Sequence, residues 1–501
     1  MPMIDDSVTP PKVTPVGFGA LDPESLQRLH QAGLTVLERV GIDVHDELAL
    51  RQLAKAGARV DGVRVRFPAE LVEQAVATAP GSFPLPGRAG DGSLDRTVAP
   101  GSGLFGNGTD CLYFRDTAGG ERRRAVLDDV VATAAACEQL ENLDFVMSGV
   151  LPADAPLERI DLAQFAAMLK GSRKPLVIAP ATAGETVPAM LEMAELAGCR
   201  DSFAVLGMSN PPLMLDASCL GKARACGAGG VPFICGPADQ LGTTAPASVA
   251  GAVTLGHAET LAALVVHQLS APGAPFVYGV GAGGPFDMRT LVDVWVSAEG
   301  ALAGTASVQL AAALGLPTWD YAGCGDAKTL DGQLSVELAV TILTALQNGS
   351  SMYHDVGEFE AGVQNSIETL VLGDVLIGLG RRLLAGITVD DETLQLDDIE
   401  AVGPGGSFLG RPYTRRHHRD VWRSPLFDTT LYEHWVEAGS STLEERLHEA
   451  ALDLVERREP VLDDVVAARL DTYWRQAEAA RRSDAGRAHH SWTQLSIEWW
   501  T

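Results

Sequence analysis

The sequence predicts a (β/α)8 barrel, a closed ring of eight parallel strands with helices packed around it. The first observation is that eight short apolar runs, rich in β-branched or aromatic residues, recur at roughly 27–43 residue intervals. The second is that the stretches between them are long enough for one or two helices, as in alternating strand–helix folds. The runs are residues 104–107, 145–150, 176–179, 203–208, 233–235, 276–280, 318–322 and 352–356. We therefore expect the chemistry in the loops that follow the carboxyl ends of the strands.

The remaining segments are expected to surround the barrel. Residues 1–19 predict a disordered or extended tail, 20–98 an N-terminal helical cap, 99–362 the barrel, and 363–501 a C-terminal wrapping segment with helices in the same globular unit. Asp22 followed by Pro23 is typical of a helix start. Residues 112–116, followed by two glycines, predict a hairpin that decorates the first barrel strand.

The end of the chain predicts two charged amphipathic helices, at residues 442–456 and 460–481. The tryptophans at positions 492, 499 and 500 are too apolar for a free tail, so we expect them to pack on the body or across a subunit interface. The chain is therefore expected to form a homo-oligomer.

The composition favours a cytoplasmic enzyme. Apolar residues make up 46% and charged residues 21% of 501 residues, and the net charge of −27 disfavours nucleic acid and anionic membrane as partners. No transmembrane helix or secretory signal is predicted. The seven cysteines are scattered and lack Cys-x-x-Cys spacing, which favours reduced, buried thiols and no metal site.

The densest group of reactive residues follows the seventh run. It comprises Asp326, Lys328, Asp331 and Gln333 after a Gly-Cys-Gly break that contains Cys324. One alternative is structural, with Asp326 capping the next helix and Lys328 pairing with Asp331. Lysine is rare in this chain, with six copies, which favours a functional role for Lys328.

Polar and aromatic residues also end the first, seventh and eighth runs. His354 follows the eighth run, with two glutamates close behind it, and its position at a strand end favours the pocket over the core. The other candidates at these strand ends are Asn107, Asp110, Trp319, Tyr321, Tyr353, Glu358 and Glu360.

Two other enzyme classes have weak support. The glycine run 279–284 is not a clean G-x-G-x-x-G and is followed by Pro285, so a dinucleotide site is not favoured. Ser209 and Ser218 lack the G-x-S-x-G context of a hydrolase nucleophile.

The chain resembles the trimethylamine methyltransferase family over nearly its whole length. The order and spacing of the matching segments carry the resemblance. They are residues 34–41, 254–259, 268–275, Glu299, 315–317, 325–328, 331–333, Glu337, Glu368 and 402–409.

The resemblance implies a (β/α)8 barrel that moves a methyl group from an amine nitrogen to the Co(I) of a separate corrinoid protein. It implies that the cobalt cofactor (cobalamin type) is carried by that partner and not by this chain, which lacks an Asp-x-His-x-x-Gly motif. The partner would dock over the carboxyl ends of the strands.

Two departures from the family pattern bear on the substrate. Archaeal trimethylamine enzymes carry pyrrolysine, whereas this chain has only ordinary residues, and we place the equivalent position near residues 323–325. Tyr413 and Thr414 stand where a His-Thr pair is expected. A quaternary nitrogen leaves as a neutral amine and needs no activating residue, so the departures favour a quaternary substrate such as a betaine, carnitine or choline.

The expected quaternary substrate gives each of the strand-end candidates a role. Aromatic faces and carboxylates hold quaternary cations, which makes Phe105 a further candidate. The expected catalytic residues are Asp326, Lys328, His354 and Glu358. The expected substrate-binding residues are Phe105, Asn107, Asp110, Trp319, Tyr321, Cys324, Gln333, Tyr353 and Glu360.

Two alternative functions are kept open by the sequence. The first is a barrel lyase or aldolase that uses Lys328 as a Schiff-base or general-base residue. The second is a protein that binds quaternary amines without catalysis. Trapping Lys328 with borohydride would distinguish the first, and binding without methyl transfer would distinguish the second.

Overall fold

A computed structural model describes residues 17–182, 184–281 and 283–477. Its centre is a single parallel sheet, and the predicted strands are present with small changes in their ends. In the described residues this sheet has seven strands, which pair in the order of the chain except that the last strand returns to the first. They are Leu104–Asn107, Leu176–Ile178, Phe203–Ser209, Phe233–Pro237, Phe276–Gly279, Thr318–Tyr321 and Met352–Val356.

The ring is closed by the second predicted run. Phe145 forms a parallel bridge to Gly106 of the first strand, and Val146 forms one to Leu176 of the next. Residues 145–146 thus occupy the eighth position between the two edges of the sheet. The predicted (β/α)8 barrel is confirmed.

Eight helices alternate with these strands along the described chain and form the outer layer. Side chains cap several of their first turns; for example, the Ser248 hydroxyl accepts a hydrogen bond from the Gly251 N–H. The helices are Leu127–Gln139, Ile160–Gly171, Val187–Leu196, Ala217–Gly229, Val249–Ser270, Ala298–Ala313, Gly332–Asn348 and Ile367–Leu384.

Helix Val249–Ser270 is the one described helix whose length and hydropathy would allow it to cross a membrane, and 72% of its apolar window is buried inside the protein. It packs between the barrel and the N-terminal layer. Its apolar character is therefore that of a core helix.

The amino ends of the strands are closed by apolar side chains. A two-stranded sheet, Phe83–Leu85 paired with Arg96–Val98, places Phe83, Leu85 and Val98 in one buried cluster with the inward-facing residues of the barrel. We call this end the lower half of the barrel and the opposite end, where the strands finish, the mouth.

The N-terminal layer has the predicted helices and a small sheet. The Asp22 carboxylate caps its first helix by accepting from the Ser25 N–H at 2.8 Å, as the sequence predicted. The layer consists of helices Pro23–Thr35, Val36–Val40 (a π-helix), Glu47–Lys55 and Ala69–Thr78, and strands Ile42–Val44, Arg59–Asp61 and Arg64–Arg66.

Short strands and turns decorate the mouth. The predicted hairpin is present as Tyr113–Arg115 and Arg122–Arg124. The other pieces are strands Met214–Leu215, Gln240–Leu241, Gly283–Asp287, Val292–Asp293, Glu358–Phe359 and Gln364–Asn365, and 3₁₀ turns Leu157–Arg159 and Gly184–Thr186.

The C-terminal part has two longer helices, Leu443–Glu456 and Asp464–Gln476, within the predicted ranges. Between helix Ile367–Leu384 and these lie the short helices Asp391–Leu394, Leu396–Val402, Pro412–His417 and Tyr432–Glu437. The predicted packing of the terminal tryptophans and most of the predicted tail at residues 1–19 lie outside the described residues.

Candidate active site at the barrel mouth

The barrel interior opens at the mouth. Along the strand Phe203–Ser209, Ala204 and Leu206 are buried within the barrel, whereas Met208, two residues further on the same face, is 44% exposed. Side chains on one face of a strand alternate, so these three form a line from the closed lower half to solvent. The strand end at Met208 is therefore the open end of the barrel interior.

His354 is the side chain of the eighth strand that faces this space. Its ring stacks on Trp319, with ring centroids 4.5 Å apart and an interplanar angle of 9°. Trp319 also contacts Phe145, with ring centroids 5.4 Å apart and the rings tilted by 37°. Nδ1 of His354 is paired with the Asp355 carboxylate, which a local irregularity of the strand (φ of 75° at Asp355) turns toward it. The His354 ring is thereby fixed in one orientation.

Glu358 lies between the eighth and first strands, and Gly108 leaves room for it. A β-carbon on Gly108 would lie 1.8 Å from Oε1 of Glu358, so only glycine fits beside this carboxyl group. Burial raises the pKa of Glu358 well above its usual range, and the charges of Asp355 and Asp110 raise it further. Oε1 is buried without a hydrogen-bond partner.

Asp110 follows the first strand and has a left-handed backbone, with φ of 62°. Its carboxylate accepts hydrogen bonds from Nε2 of Gln164 at 2.9 Å and from the Ser148 hydroxyl at 3.4 Å. Burial raises the pKa of Asp110 to about 6, because the hydrogen bond from Gln164 offsets only part of the loss of hydration.

Asp326, after the seventh strand, holds the loop that follows the sixth. Its carboxylate oxygens accept from the backbone N–H groups of Trp295 at 3.1 Å and Val296 at 3.0 Å. The Tyr321 hydroxyl also donates to the Trp295 carbonyl, at 3.4 Å. Glu337 accepts from the Asp326 N–H at 2.8 Å and so fixes the seventh loop in turn. Asp326 acts here by placing Trp295.

Trp295 and Asp293 are site residues that the sequence reasoning missed. The Trp295 ring lies against Gly362 from the loop after the eighth strand, where a β-carbon would be 2.4 Å from the ring. Burial raises the pKa of Asp293 to about 7, and its Oδ1 is buried without a hydrogen-bond partner. The sequence offered one sign of these two residues, namely an acidic and an aromatic residue two positions apart in a loop that follows a barrel strand.

Glu259 supports the mouth from the outer layer. It accepts from the Ser209 hydroxyl and from the Leu213 N–H at 2.6 Å, which anchors the loop after the fourth strand. Burial raises the pKa of Glu259 to about 7. Because both its contacts hold the loop, we assign it a positioning role.

Phe105, Tyr353 and Asn107 are not in the interior of the mouth, where the sequence placed them. Phe105 and Tyr353 stack on each other at 4.7 Å on the outer face of the barrel, fully buried against helices. The Asn107 amide exchanges hydrogen bonds with the Met147 backbone, at 2.9 and 2.7 Å, and so ties the first strand to the second position of the ring. These three side chains hold the barrel together.

Four more predicted residues lie beside the mouth without an open face toward it. Nζ of Lys328 is exposed and donates to the Asp326 carbonyl, and Gln333 is exposed and donates to Glu337 at 2.7 Å. Glu360 is neutralised by Arg122 through two contacts of 2.8 and 2.9 Å. Cys324 is fully buried, and its pKa is raised well above the usual range by burial.

The mouth thus combines carboxylates and aromatic rings at the strand ends of a (β/α)8 barrel. Strand ends of a (β/α)8 barrel are where enzymes of this fold carry their active sites, and carboxylates with aromatic faces are groups that attract cations. Asp110, Trp319, Tyr321, Asp326, His354 and Glu358 are the predicted residues that the structure brings together there.

Comparison with known proteins gives the family. The trimethylamine methyltransferase (MTTB) family model matches residues 6–481, so the chain belongs to that family and the predicted resemblance is confirmed. The chain is an amine methyltransferase. Methyltransferases of this family work with corrinoid proteins.

Similar proteins align over nearly their whole length. The glycine betaine methyltransferase of Desulfitobacterium hafniense is 29% identical over 471 residues, which cover 91% of this chain and 96% of the relative. A trimethylamine methyltransferase MttB of the same species is 28% identical, covering 93% and 95%. The MttB of Methanosarcina thermophila is also 28% identical, covering 90% and 97%.

Proposed function

We propose that this protein transfers a methyl group from a quaternary amine, bound in the upper half of the barrel, to the Co(I) of a separate corrinoid protein. The observation that carries the substrate class is a group of buried and half-buried carboxylates that make no ion pair with lysine or arginine in the described part of the chain. The named activity of the glycine betaine relative supports the same class. We further propose that the enzyme acts in the cytoplasm, where its cysteines stay reduced.

The charge balance of the mouth favours a cation. Among the described residues, no lysine or arginine makes an ion pair with Asp110, Asp293, Asp326 or Glu358. Removing a carboxylate from water without a cationic partner is costly, and the raised pKa values of Asp110, Asp293 and Glu358 reflect that cost. A quaternary ammonium group would supply the missing positive charge, and the unpartnered oxygens of Asp293 and Glu358 are two points of attraction for it.

The aromatic rings divide into supporting and contacting groups. Trp319 is only 3% exposed and contacts Phe145 and His354, so it supports the His354 ring. Tyr321 and Trp295 are only partly buried and are the rings left to contact a substrate. Cation–π attraction to their faces complements the carboxylates.

The residues of this chain bind and orient the substrate. The partner's corrinoid supplies the Co(I) nucleophile that accepts the methyl group. Asp110, Asp293 and Glu358 attract the ammonium group, and the aromatic rings exclude water and hold a methyl–nitrogen bond toward the opening. The nitrogen leaves as a neutral amine, so no proton donor is required. Because the product amine is neutral, the carboxylates no longer attract it, and this favours release of the product.

A spectral assay tests this function. Purified protein is mixed with reduced cob(I)alamin and, in separate reactions, with glycine betaine, carnitine, choline or trimethylamine. We expect loss of the Co(I) spectrum and a matching amount of demethylated amine with a quaternary substrate. No reaction with any quaternary amine, in folded protein supplied also with its corrinoid protein, would contradict the proposal.

A further inference from the structure

Among the described residues, the C-terminal part contains an arm whose polar contacts with the body of the molecule are confined to its first residue, Gly386. We define the arm as residues 386–421, which include the helices Asp391–Leu394, Leu396–Val402 and Pro412–His417. Within the described chain, all hydrogen bonds and ion pairs of residues 387–421 stay between residues 382 and 421, and none of their apolar side chains joins the packed core.

The arm exposes an unusual amount of apolar surface. Ile387 and Leu409 are each 84% exposed, and these belong to a group of eight large exposed apolar side chains in the arm. The group is Ile387, Val389, Leu394, Leu396, Ile399, Phe408, Leu409 and Val421. Eight large exposed apolar side chains within 36 residues indicate an interaction site, and helices this short need a surface on which to pack.

The charges of the arm fall into two opposite halves. Residues 390–400 contain six acidic and no basic residues, whereas residues 411–421 contain four arginines and one aspartate. Two ion pairs, Arg411 with Asp398 and Arg416 with Glu392, join the halves within one arm. Four other charged residues of the two halves are exposed and make no ion pair in the described chain, namely Asp397, Glu400, Arg415 and Arg419.

This pattern is complementary to itself. In a twofold-symmetric interface, residue i of one copy meets residue j of the other and the reverse holds as well. An acidic half and a basic half on one arm therefore form two sets of attractive contacts when two arms lie antiparallel. Each copy carries a net charge of −27, so two copies repel each other. Contacts made by the arginine-rich half of the arm reduce this repulsion, which favours the same antiparallel orientation.

The position of the arm argues against the corrinoid protein as its occupant. Helix Ile367–Leu384 starts near the mouth and ends where the arm begins. Its 18 residues span about 27 Å, so the arm leaves the body at the end of the barrel opposite to the mouth. A partner that must reach the substrate approaches the other end.

We propose that the arm binds the arm of a second copy of this chain in a twofold-symmetric dimer. The apolar side chains of the two arms cover one another. The acidic half of each arm contacts the arginine-rich half of the other.

Mass measurement in solution tests the apolar part of this proposal. Size-exclusion chromatography with light scattering should give twice the chain mass of 52.8 kDa, or a multiple of it, for the full-length protein. Leu409→Asp should shift the mass toward the single chain. Val465→Asp is the matched control, because Val465 is 69% exposed on helix Asp464–Gln476 outside the arm, and it should leave the mass unchanged.

A charge exchange tests the orientation. Arg415→Glu with Arg419→Glu, and separately Asp397→Arg with Glu400→Arg, change exposed residues that make no ion pair in the described chain. Each double variant alone should be mostly monomeric, and an equimolar mixture of the two double variants should be dimeric again. A monomeric wild type at micromolar concentration, an unchanged mass for Leu409→Asp, or a mixture no more dimeric than its parts would overturn the proposal. So would a stable Leu409→Asp dimer that no longer binds the corrinoid protein.

Discussion

The two halves of the barrel interior differ in what their side chains do for the protein. The lower half is apolar and closed, with Ile234, Val277 and Met352 packed against the plug formed by Phe83 and Leu85. The upper half carries carboxylates whose pKa values burial raises, together with aromatic rings. The lower half therefore stabilises the fold, whereas the carboxylates of the upper half lower the stability of the fold and form the binding site. Substitutions can test this division.

The largest effect is expected in the lower half. Ile234→Ala removes a fully buried side chain from the closed cluster and should cost about 2–5 kcal/mol in the free energy of unfolding. Chemical denaturation measures the loss, and the affinity for a quaternary amine at low temperature should stay within about twofold of the wild type. A large drop in affinity with little loss of stability would break the division.

The next effect belongs to Glu358 in the upper half. Glu358→Gln should lower kcat/KM for the quaternary substrate roughly ten- to hundredfold, since a charged contact worth about 1.5–3 kcal/mol is lost. The protein should unfold at an equal or higher denaturant concentration, because a buried carboxyl group with a raised pKa is replaced by a neutral amide. Reduced stability with full activity would show that Glu358 is structural.

Gly108→Ala tests whether the position of the Glu358 carboxyl group matters, without changing Glu358 itself. The new β-carbon would lie 1.8 Å from Oε1, so the carboxyl group must move and activity should fall as it does in Glu358→Gln. Gly90→Ala is the control, because a β-carbon there meets no atom within 4 Å. Equal activity of the two glycine variants would count against a defined position for the Glu358 carboxylate.

Binding of the cation should depend on pH with a defined sign. Protonation neutralises a carboxylate, and burial raises the pKa of Asp293 to about 7 and that of Asp110 to about 6. The part of the affinity that these two aspartates supply is therefore complete above pH 8, and the affinity should fall about tenfold between pH 8 and 6. Calorimetric titration measures it, and Asp293→Asn should bind more weakly at pH 8 and flatten the change above pH 6.5. A flat profile in the wild type would exclude the two aspartates from the site.

The smallest effect is expected for Lys328, which lies outside both halves. Its exposed Nζ donates only to the Asp326 carbonyl, so Lys328→Ala should change kcat by less than about twofold. The lyase alternative requires this amine and predicts complete loss. Labelling of Lys328 by borohydride in the presence of substrate would support that alternative.

The sequence predicted the barrel because strands buried on both faces are continuous apolar runs. For the same reason it could not tell which residues of a run face inward, and Phe105 and Tyr353 proved to face the helices. Residues beyond a strand end, such as Asp110 and Glu358, were found because barrel sites lie there. Trp295 and Asp293 were missed because their place depends on a loop that Asp326 folds back over the mouth.

The binding affinities of a quaternary amine and of its carbon isostere show whether the barrel mouth recognises the positive charge. Choline and 3,3-dimethyl-1-butanol, or the equivalent pair for the best substrate found, share a shape and differ in the charge at the methylated centre. If the carboxylates bind the positive charge, the wild type should bind the cation at least tenfold more tightly than the isostere at pH 8, and Glu358→Gln should reduce this ratio of affinities. Equal affinities for the two molecules in the wild type would contradict this prediction.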